Sequence, residues 1–432
     1  MLQRLFGLDP NITTPGKEIM AGVTTFLTMS YILFVNPMIL SDAGMDFNAV
    51  ITATALAACF GTLLMAFWVK APLAMAPGMG LNAFFAYSLV IGEGITWETA
   101  MGVVFISGLV FLLLTWFGIR EKIVNAIPLS LRLSIPAGIG LFITLIGFQN
   151  MDLVVRDDAT MIALGSISAP LLFGLFGILL IVILEAKKVK GSILIGILVT
   201  TLAAILFGQI AAPESMISAP PSPAPVAFQL DILGALQWGL IGAIFSFMFV
   251  DLFDSVGTLV GCAYEADLVR VDGTIENIDK MLGADAVATL FGSLIGTSTT
   301  TTYIESASGI EVGGRSGLTA FTVALLFLIA IFFTPIIAVV PPYATAPALV
   351  VVGIFMFKNI TRIPMDNWPD VVAGFATIVL MPLTYSISLG LTFGFLFWTI
   401  LTAVSGNFQK IHPVMWIVAI LSAMNLWISL AI

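Results

Sequence analysis

The sequence predicts an all-α polytopic membrane protein, with about 14 transmembrane segments arranged as two inverted seven-span repeats. Three observations carry this. Of 432 residues, 59% are hydrophobic and 9% are charged, whereas a soluble domain carries about 25% charged residues. Apolar runs long enough to cross a bilayer recur along the whole chain, so no soluble domain remains once they are removed. The basic residues alternate sides with the span count.

Residues 1–17 form a polar lead-in without the apolar core of a signal peptide, and are expected to be cytoplasmic. The first repeat, 18–208, holds segments near 18–39, 49–69, 73–91, 97–118, 128–149, 169–185 and 191–208. A Pro-rich extracytoplasmic loop follows at 209–232. The second repeat, 233–404, holds segments near 233–262, 281–296, 298–312, 317–337, 340–357, 367–382 and 384–404. A hydrophobic extension, 405–432, closes the chain. Its apolar part, 415–432, is an extra span, an interfacial helix or the last span of a shifted count. A cytoplasmic N-terminus puts 15 of the 16 Lys and Arg in inside connections, including Lys70, Arg120, Lys122, Lys188, Lys190, Arg270, Arg315 and Lys410. Only Arg156 falls outside. A miscounted span would scramble this alternation.

Cys59 and Cys262 fall inside apolar segments, where they read as packing residues. The only histidine, His412, lies near the C-terminal end. No metal-ligand cluster stands out and no cofactor is implied, so any proton chemistry falls to Asp and Glu.

Seven spans is an odd number, so a second half that repeats the first is inverted in the membrane. Inverted repeats are a hallmark of secondary transporters, and a matched pair of Gly/Pro-interrupted segments marks their substrate site. Segments 3 and 10 form such a pair. The third carries Pro77, Gly78 and Gly80, which do not suit a helix interior. The tenth runs Gly296-Thr-Ser-Thr-Thr-Thr-Thr-Tyr-Ile-Glu305, a β-branched, hydroxyl-rich stretch that favours extended backbone. Such backbone at membrane depth is tolerated only when buried in protein or lining a cavity. Two extended stretches there can pair with each other, each leading into a half-helix, with Asn82 and Glu305 near the two N-termini.

The eighth segment carries Asp251 and Asp254. A charge at the bilayer centre costs ~2.5–3.5 kcal/mol on insertion scales, so these acids and Glu305 are candidate site residues. Asp251 and Asp254 share one helix face, extended by Ser255, Thr258, Gly261 and Cys262. Phe249, Leu252, Phe253, Val256 and Leu259 occupy the other side, which reads as lipid- or core-facing. The span interiors lack Lys and Arg, apart from edge residues such as Arg132. Acids without basic partners are expected to be protonated or to exchange a proton as substrate binds. Asp285 in the ninth segment reads equally as a site acid or a cytoplasm-facing one. Thr24, Thr25, Thr28 and Ser30 put hydroxyls in the first segment, where back-bonding to the helix competes with substrate contact. Glu265, Asp267, Asp272, Glu276 and Asp279 read as a solvated inside loop. Carboxylates, hydroxyls and an Asn suit a neutral, flat substrate rich in N–H donors, such as a purine base, and repel an anion.

Four runs then carry a family resemblance: Ala21–Pro37, Ala76–Phe85, Phe249–Thr258 and Thr299–Gly309. Together they resemble the AzgA-like purine permeases of the nucleobase–cation and nucleobase–ascorbate transporter superfamily. The resemblance implies a core domain of about 18–118 plus 233–337 and a gate domain of about 120–208 plus 340–404. It implies proton symport of hypoxanthine, guanine or adenine, elevator-like sliding of core against gate, and a homodimer formed through the gate. By motif matching, Asn82, Asp251, Asp254 and Glu305 fall on substrate and proton positions, with Thr258, Ser306, Thr28 and Asp285 as secondary candidates. The expected setting is multi-pass in the inner membrane, with no nucleic-acid partner. The sister uracil–xanthine branch carries Gln/Glu-Asn-x-Gly after its tenth-segment acid, whereas Glu305 is followed here by Ser-Ala-Ser-Gly. An anion or bicarbonate transporter of the same fold is disfavoured by Glu305. A membrane enzyme would need metal ligands or a nucleophile–base pair in a span, and neither is present. A pore-type channel predicts flux indifferent to a pH gradient.

Overall fold

The computed structural model describes residues 2–118, 123, 126–266, 268–269 and 275–431. Arg120, Lys122, Asp267, Arg270 and Asp272 lie outside the described residues. Among those described, nine helices are long and apolar enough to cross a membrane, and four further apolar helices are shorter.

The first segment, expected as one span over 18–39, is one apolar stretch long enough to cross a membrane, Pro15–Asp42, built of two helices, α1 (Pro15–Met29) and α2 (Ile32–Asp42). Thr14 caps α1, accepting from Lys17 N, and Pro15 opens it. The break follows a run of hydroxyls that bond back onto the preceding turn: Thr24 to Met20 O at 2.9 Å and Thr28 to Thr25 O at 2.8 Å. Helix α3 (Phe47–Leu64) is capped by Asp46 and runs on through a π turn to Val69. Strand β1 (Met75–Pro77) then leads into α4 (Met79–Ala83), which continues as a π helix to Gly92. Helices α5 (Trp97–Trp116), α6 (Leu129–Asn150), α7 (Ala169–Ala186) and α8 (Ser192–Leu206) complete the first half. Between α6 and α7 the chain forms a hairpin, β2 (Val154–Asp157) with β3 (Met161–Leu164), which no sequence signal had singled out.

The eighth segment starts later than its apolar run. A short turn at Ile232–Ala235 precedes α9 (Ile241–Glu265). The side of α9 read as lipid- or core-facing is core: Phe249, Leu252, Phe253 and Leu259 are all buried. Then come α10 (Ile278–Ile295), strand β4 (Thr300–Thr302), α11 (Ser306–Val312) and α12 (Gly317–Ala330). The eleventh segment, expected as one run over 317–337, is interrupted by a 3-10 turn at Ile331–Phe333 before Pro335. Glu18 is buried and caps α12, accepting from Arg315 N at 2.9 Å, Ser316 N at 3.2 Å and the Thr319 hydroxyl at 2.6 Å. Helices α13 (Pro342–Phe357), α14 (Trp368–Leu383), α15 (Ile387–Val404) and α16 (Pro413–Ala431) end the chain. The extension beyond 404 is thus helical over most of its length.

The helices pack in two groups. One gathers α1–α5 with α9–α12; the other gathers α6–α8 with α13–α15. Helix α16 lies on α15 and also touches α9.

The two broken segments meet inside the first group. Strands β1 and β4 pair antiparallel, Met75 with Thr302, Ala76 with Thr301 and Pro77 with Thr300. A two-stranded ribbon has two open edges, and an unpaired backbone group at membrane depth is costly. Each edge is closed by a threonine of the preceding helix. Thr62 of α3 accepts from Met75 N at 3.0 Å and donates to Met75 O at 3.1 Å. Thr289 of α10 accepts from Thr300 N at 3.3 Å and donates to Thr300 O at 3.2 Å. Met75 and Thr300 each open their strand, so the same device recurs in both halves of the chain.

Candidate functional site

The ribbon places the candidate residues. Asn82 projects from α4, the half-helix that follows β1, and is wholly buried. Its Oδ1 accepts from the Ser298 hydroxyl, just before β4, while its Nδ2 has no partner among the described residues. Glu305 sits at the start of α11, the half-helix that follows β4. Its Oε1 accepts from the Tyr31 hydroxyl at 2.5 Å. Tyr31 stands in the break between α1 and α2, so three interrupted segments converge here. Asp254 reaches the ribbon from α9: its Oδ2 lies 3.8 Å from the position a Cβ on Gly78 would occupy. With Thr301 Cγ2 3.0 Å from the same point, a side chain at position 78 would crowd this corner. Asp254 and Glu305 are near enough to interact if ionised, as are Asp251, Asp254 and Asp285. Among the described residues no ion pair reaches any of these acids.

Asp251 and Asp285 lie behind β4. Asp285 accepts from Thr302 N at 2.9 Å, from the Thr302 hydroxyl at 3.2 Å and from the Ser255 hydroxyl. It is thus a well-partnered carboxylate that holds the outer edge of the strand. Asp251 is 1% exposed; its Oδ2 accepts from the Thr289 hydroxyl at 3.4 Å, and its Oδ1 has no partner among the described residues. Of the secondary candidates, the Ser306 hydroxyl accepts from Ala74 N at 3.0 Å, and Thr28 is bonded back to its own helix. Thr258 lies half-buried one turn beyond Asp254.

Several residues at the site were not singled out from sequence. Tyr31, Ser298 and Tyr303 are side-chain partners of the ribbon and its acids; the Tyr303 hydroxyl donates to Pro77 O at 2.5 Å. Phe84, two residues after Asn82, stacks on Phe247 of α9 with ring centroids 4.5 Å apart, tying α4 to α9. Tyr31 lies in the Ala21–Pro37 run and Ser298 in the Thr-rich run that starts at Gly296, but no local signal distinguishes them from their neighbours.

Glu305 opens onto a cavity of about 330 Å³ between the two helix groups. Thr28, Glu305 and Ser308 line one side; Glu185, Lys190 and Phe355 line the other. Lys190 Nζ and Glu311 Oε2, 2.5 Å apart, form an ion pair across it. No group of three or more His, Cys, Asp or Glu among the described residues is placed to hold a metal ion. The arrangement offers carboxylate acceptors and an amide donor on the buried ribbon, with Glu305, Thr28 and Ser308 at the cavity.

Comparison with known proteins adds to this geometry. The model of the Permease family (Xan_ur_permease) matches residues 16–368. The chain is 46% identical over 425 residues to putative permease MJ0326 of Methanocaldococcus jannaschii, covering 98% of each. It is 42% identical to the adenine permease AdeQ of Escherichia coli, covering 98% of this chain and 96% of that protein. It is also 42% identical to the guanine/hypoxanthine permease PbuG of Bacillus subtilis, covering 96% and 97%. Among solved structures, the transmembrane domain of the cyanobacterial bicarbonate transporter BicA aligns with a TM-score of 0.65 at 16% identity, covering 88% of this chain and 97% of that one. The murine anion transporter Slc26a9 in its inward-facing state aligns with a TM-score of 0.61 at 13% identity, covering 90% and 68%. At such identities these two likenesses concern the fold alone.

Proposed function

Since this chain belongs to the Permease family, we propose that it is a multi-pass membrane transporter that imports purine nucleobases by proton symport. The relatives named as adenine and guanine/hypoxanthine permeases, matched over nearly their whole length, support the substrate class. The observation that carries the reading is the convergence of Asn82, Asp254 and Glu305 on one buried ribbon, with no basic partner among the described residues. A purine offers N–H donors and ring-nitrogen acceptors along a flat edge. Asp254 and Glu305 accept from such an edge, and the free Nδ2 of Asn82 donates to it. The same acids argue against an anion as cargo, although the solved structures of this fold include a bicarbonate transporter.

In this reading the group of α1–α5 and α9–α12 carries the site as the core, and slides against the gate formed by the other group. The cavity below Glu305 is the cytoplasmic route. The N-terminus is cytoplasmic, the host membrane is the inner membrane, and a homodimer forms through the gate. Asp251, set back behind β4, serves the coupled proton and not the base.

The test is uptake into proteoliposomes under an inward proton gradient, with labelled adenine, guanine, hypoxanthine and uracil. Purines are expected to accumulate, and to stop accumulating when a protonophore collapses the gradient. Unchanged accumulation without the gradient would rule out symport. Wild-type uptake by a protein carrying both Asp254→Asn and Glu305→Gln would rule out the site.

A further inference from the structure

Thr62 and Thr289 close the two edges of the ribbon in the same way, yet their surroundings differ at one point. Each hydroxyl accepts a strand N–H and donates to the carbonyl of the same residue. Thr289 alone has a carboxylate oxygen beside it, Asp251 Oδ2 at 3.4 Å. A hydroxyl has one proton and two acceptor positions. The single proton of Thr289 is therefore contested by Thr300 O and by Asp251, a conflict that Thr62 does not face.

We propose that Asp251 and Thr289 form a proton-operated clamp on β4, coupling proton uptake to the shape of the base site. The inference rests on the proton-symport reading above. When Asp251 is ionised, its oxygens only accept. It draws the Thr289 hydroxyl proton to itself, Thr300 O loses its donor, and the first residue of β4 is released. When Asp251 takes up a proton, its O–H donates to the Thr289 oxygen, filling the acceptor position that Thr300 N leaves open. The hydroxyl proton then returns to Thr300 O and the clamp closes. One proton enters at Asp251 and no other bond to hydrogen is made or lost overall.

Geometry supports the neutral acid as the form built into this conformation. Asp251 Oδ1 is buried without a partner among the described residues, which a carboxylate tolerates poorly. Asp285, facing the same strand, by contrast accepts from three donors. The titratable groups acting on Asp251 are Asp254 on its own helix and Asp285 on α10. Strand β4 is short enough to pass the change on. Two residues before Thr300 lies Ser298, the partner of Asn82. Five residues beyond lies Glu305. Releasing Thr300 loosens both ends of the site together.

The experiment compares the apparent KM for hypoxanthine and adenine at acid and alkaline pH in proteoliposomes, with Thr62 as the internal control. In the wild type, affinity is expected to fall as pH rises. Thr289→Val should flatten that dependence, lowering the ratio of the two KM values by about tenfold, the scale of one hydrogen bond. Thr289→Ser should restore it. Asp251→Asn, whose amide mimics the neutral acid, should also make KM independent of pH. Thr62→Val should weaken affinity equally at both pH values and keep the wild-type ratio. Retention of the wild-type ratio by Thr289→Val would overturn the clamp, as would equal flattening by Thr62→Val. If Thr289→Val does not fold, Asp251→Asn decides: a wild-type ratio there overturns the clamp. Failure of the symport reading looks different, since the wild type itself would then be indifferent to pH and to the gradient, and the clamp would fall with it.

Discussion

A carboxylate in a membrane segment needs either a proton or a set of donors, and three of the four acids of this site show the range. Asp285 has donors from β4 and α9; Asp251 has almost none. Glu305 accepts from Tyr31, 274 residues away in sequence. That hydroxyl orients Glu305 toward the cavity and shares its charge. Removing it with Tyr31→Phe leaves the ring in place and deletes one charge-assisted hydrogen bond, worth roughly 1.5–3 kcal/mol. Purine kcat/KM is therefore expected to drop by about tenfold or more. The loss should be non-additive with Glu305→Gln, because both changes break the same contact. Uptake kinetics of the two single variants and the double variant check this, and additive losses would place Tyr31 outside the site. The acids themselves were legible in the sequence because a charge in an apolar run is conspicuous. Tyr31, Thr62, Thr289 and Ser298 were not. Hydroxyls in membrane helices commonly bond back to their own turn, as Thr24 and Thr28 do here. Only the fold separates those that reach across the structure.

At the level of elements, the interruptions at Pro77, Gly78 and Gly80 and in the Thr-rich run announced extended backbone, and β1 and β4 lie there, paired. Backbone chemistry is local, so such breaks can be read without the fold. The break between α1 and α2 was less visible, since no glycine marks it and Pro37 lies well inside α2. Helix–helix contacts in the second group show a further device. The Cβ of a residue at 140 would fall 2.6 Å from Gly353 O, and one at 353 would fall 2.5 Å from Gly140 O. Helices α6 and α13 thus approach backbone to backbone, as small residues allow in membranes. Gly140→Leu is expected to force them apart at a cost of roughly 1–3 kcal/mol. The readout is the melting temperature and monodispersity of the purified protein in detergent. Gly257→Ala, on α9 with no atom within 4 Å of its new Cβ, is the control and should behave as wild type. Equal behaviour of the two variants would refute the close-packing argument.

For the molecule as a whole, the two helix groups touch differently at their two ends. On the side away from Lys190, Ser88 beyond α4 donates to Tyr385 O at 3.0 Å, between α14 and α15, and the Tyr385 hydroxyl donates to Gln149 of α6. The first of these bonds joins the two groups directly, and the second anchors Tyr385 within its own group. At the other end the groups stand apart around the cavity under Glu305, joined across it by the Lys190–Glu311 pair. Both side chains of that pair are about half exposed, so it contributes little stability by itself, ~0–1 kcal/mol. Lys190→Gln alone is expected to change uptake less than about twofold on that ground. Position, and not strength, makes the pair informative: the sliding proposed for transport must change the distance between residues 190 and 311. A short bifunctional thiol reagent joining Lys190→Cys to Glu311→Cys should therefore hold the cavity in its present opening. The native thiols offer little interference, because Cys59 and Cys262 are both buried. Full cross-linking is expected to reduce purine uptake to background while leaving purine binding measurable, and cleavage of a reducible linker should restore uptake. Wild-type uptake by fully cross-linked protein would mean that the two groups keep this end fixed throughout the cycle, and that access to Glu305 alternates by some motion other than sliding.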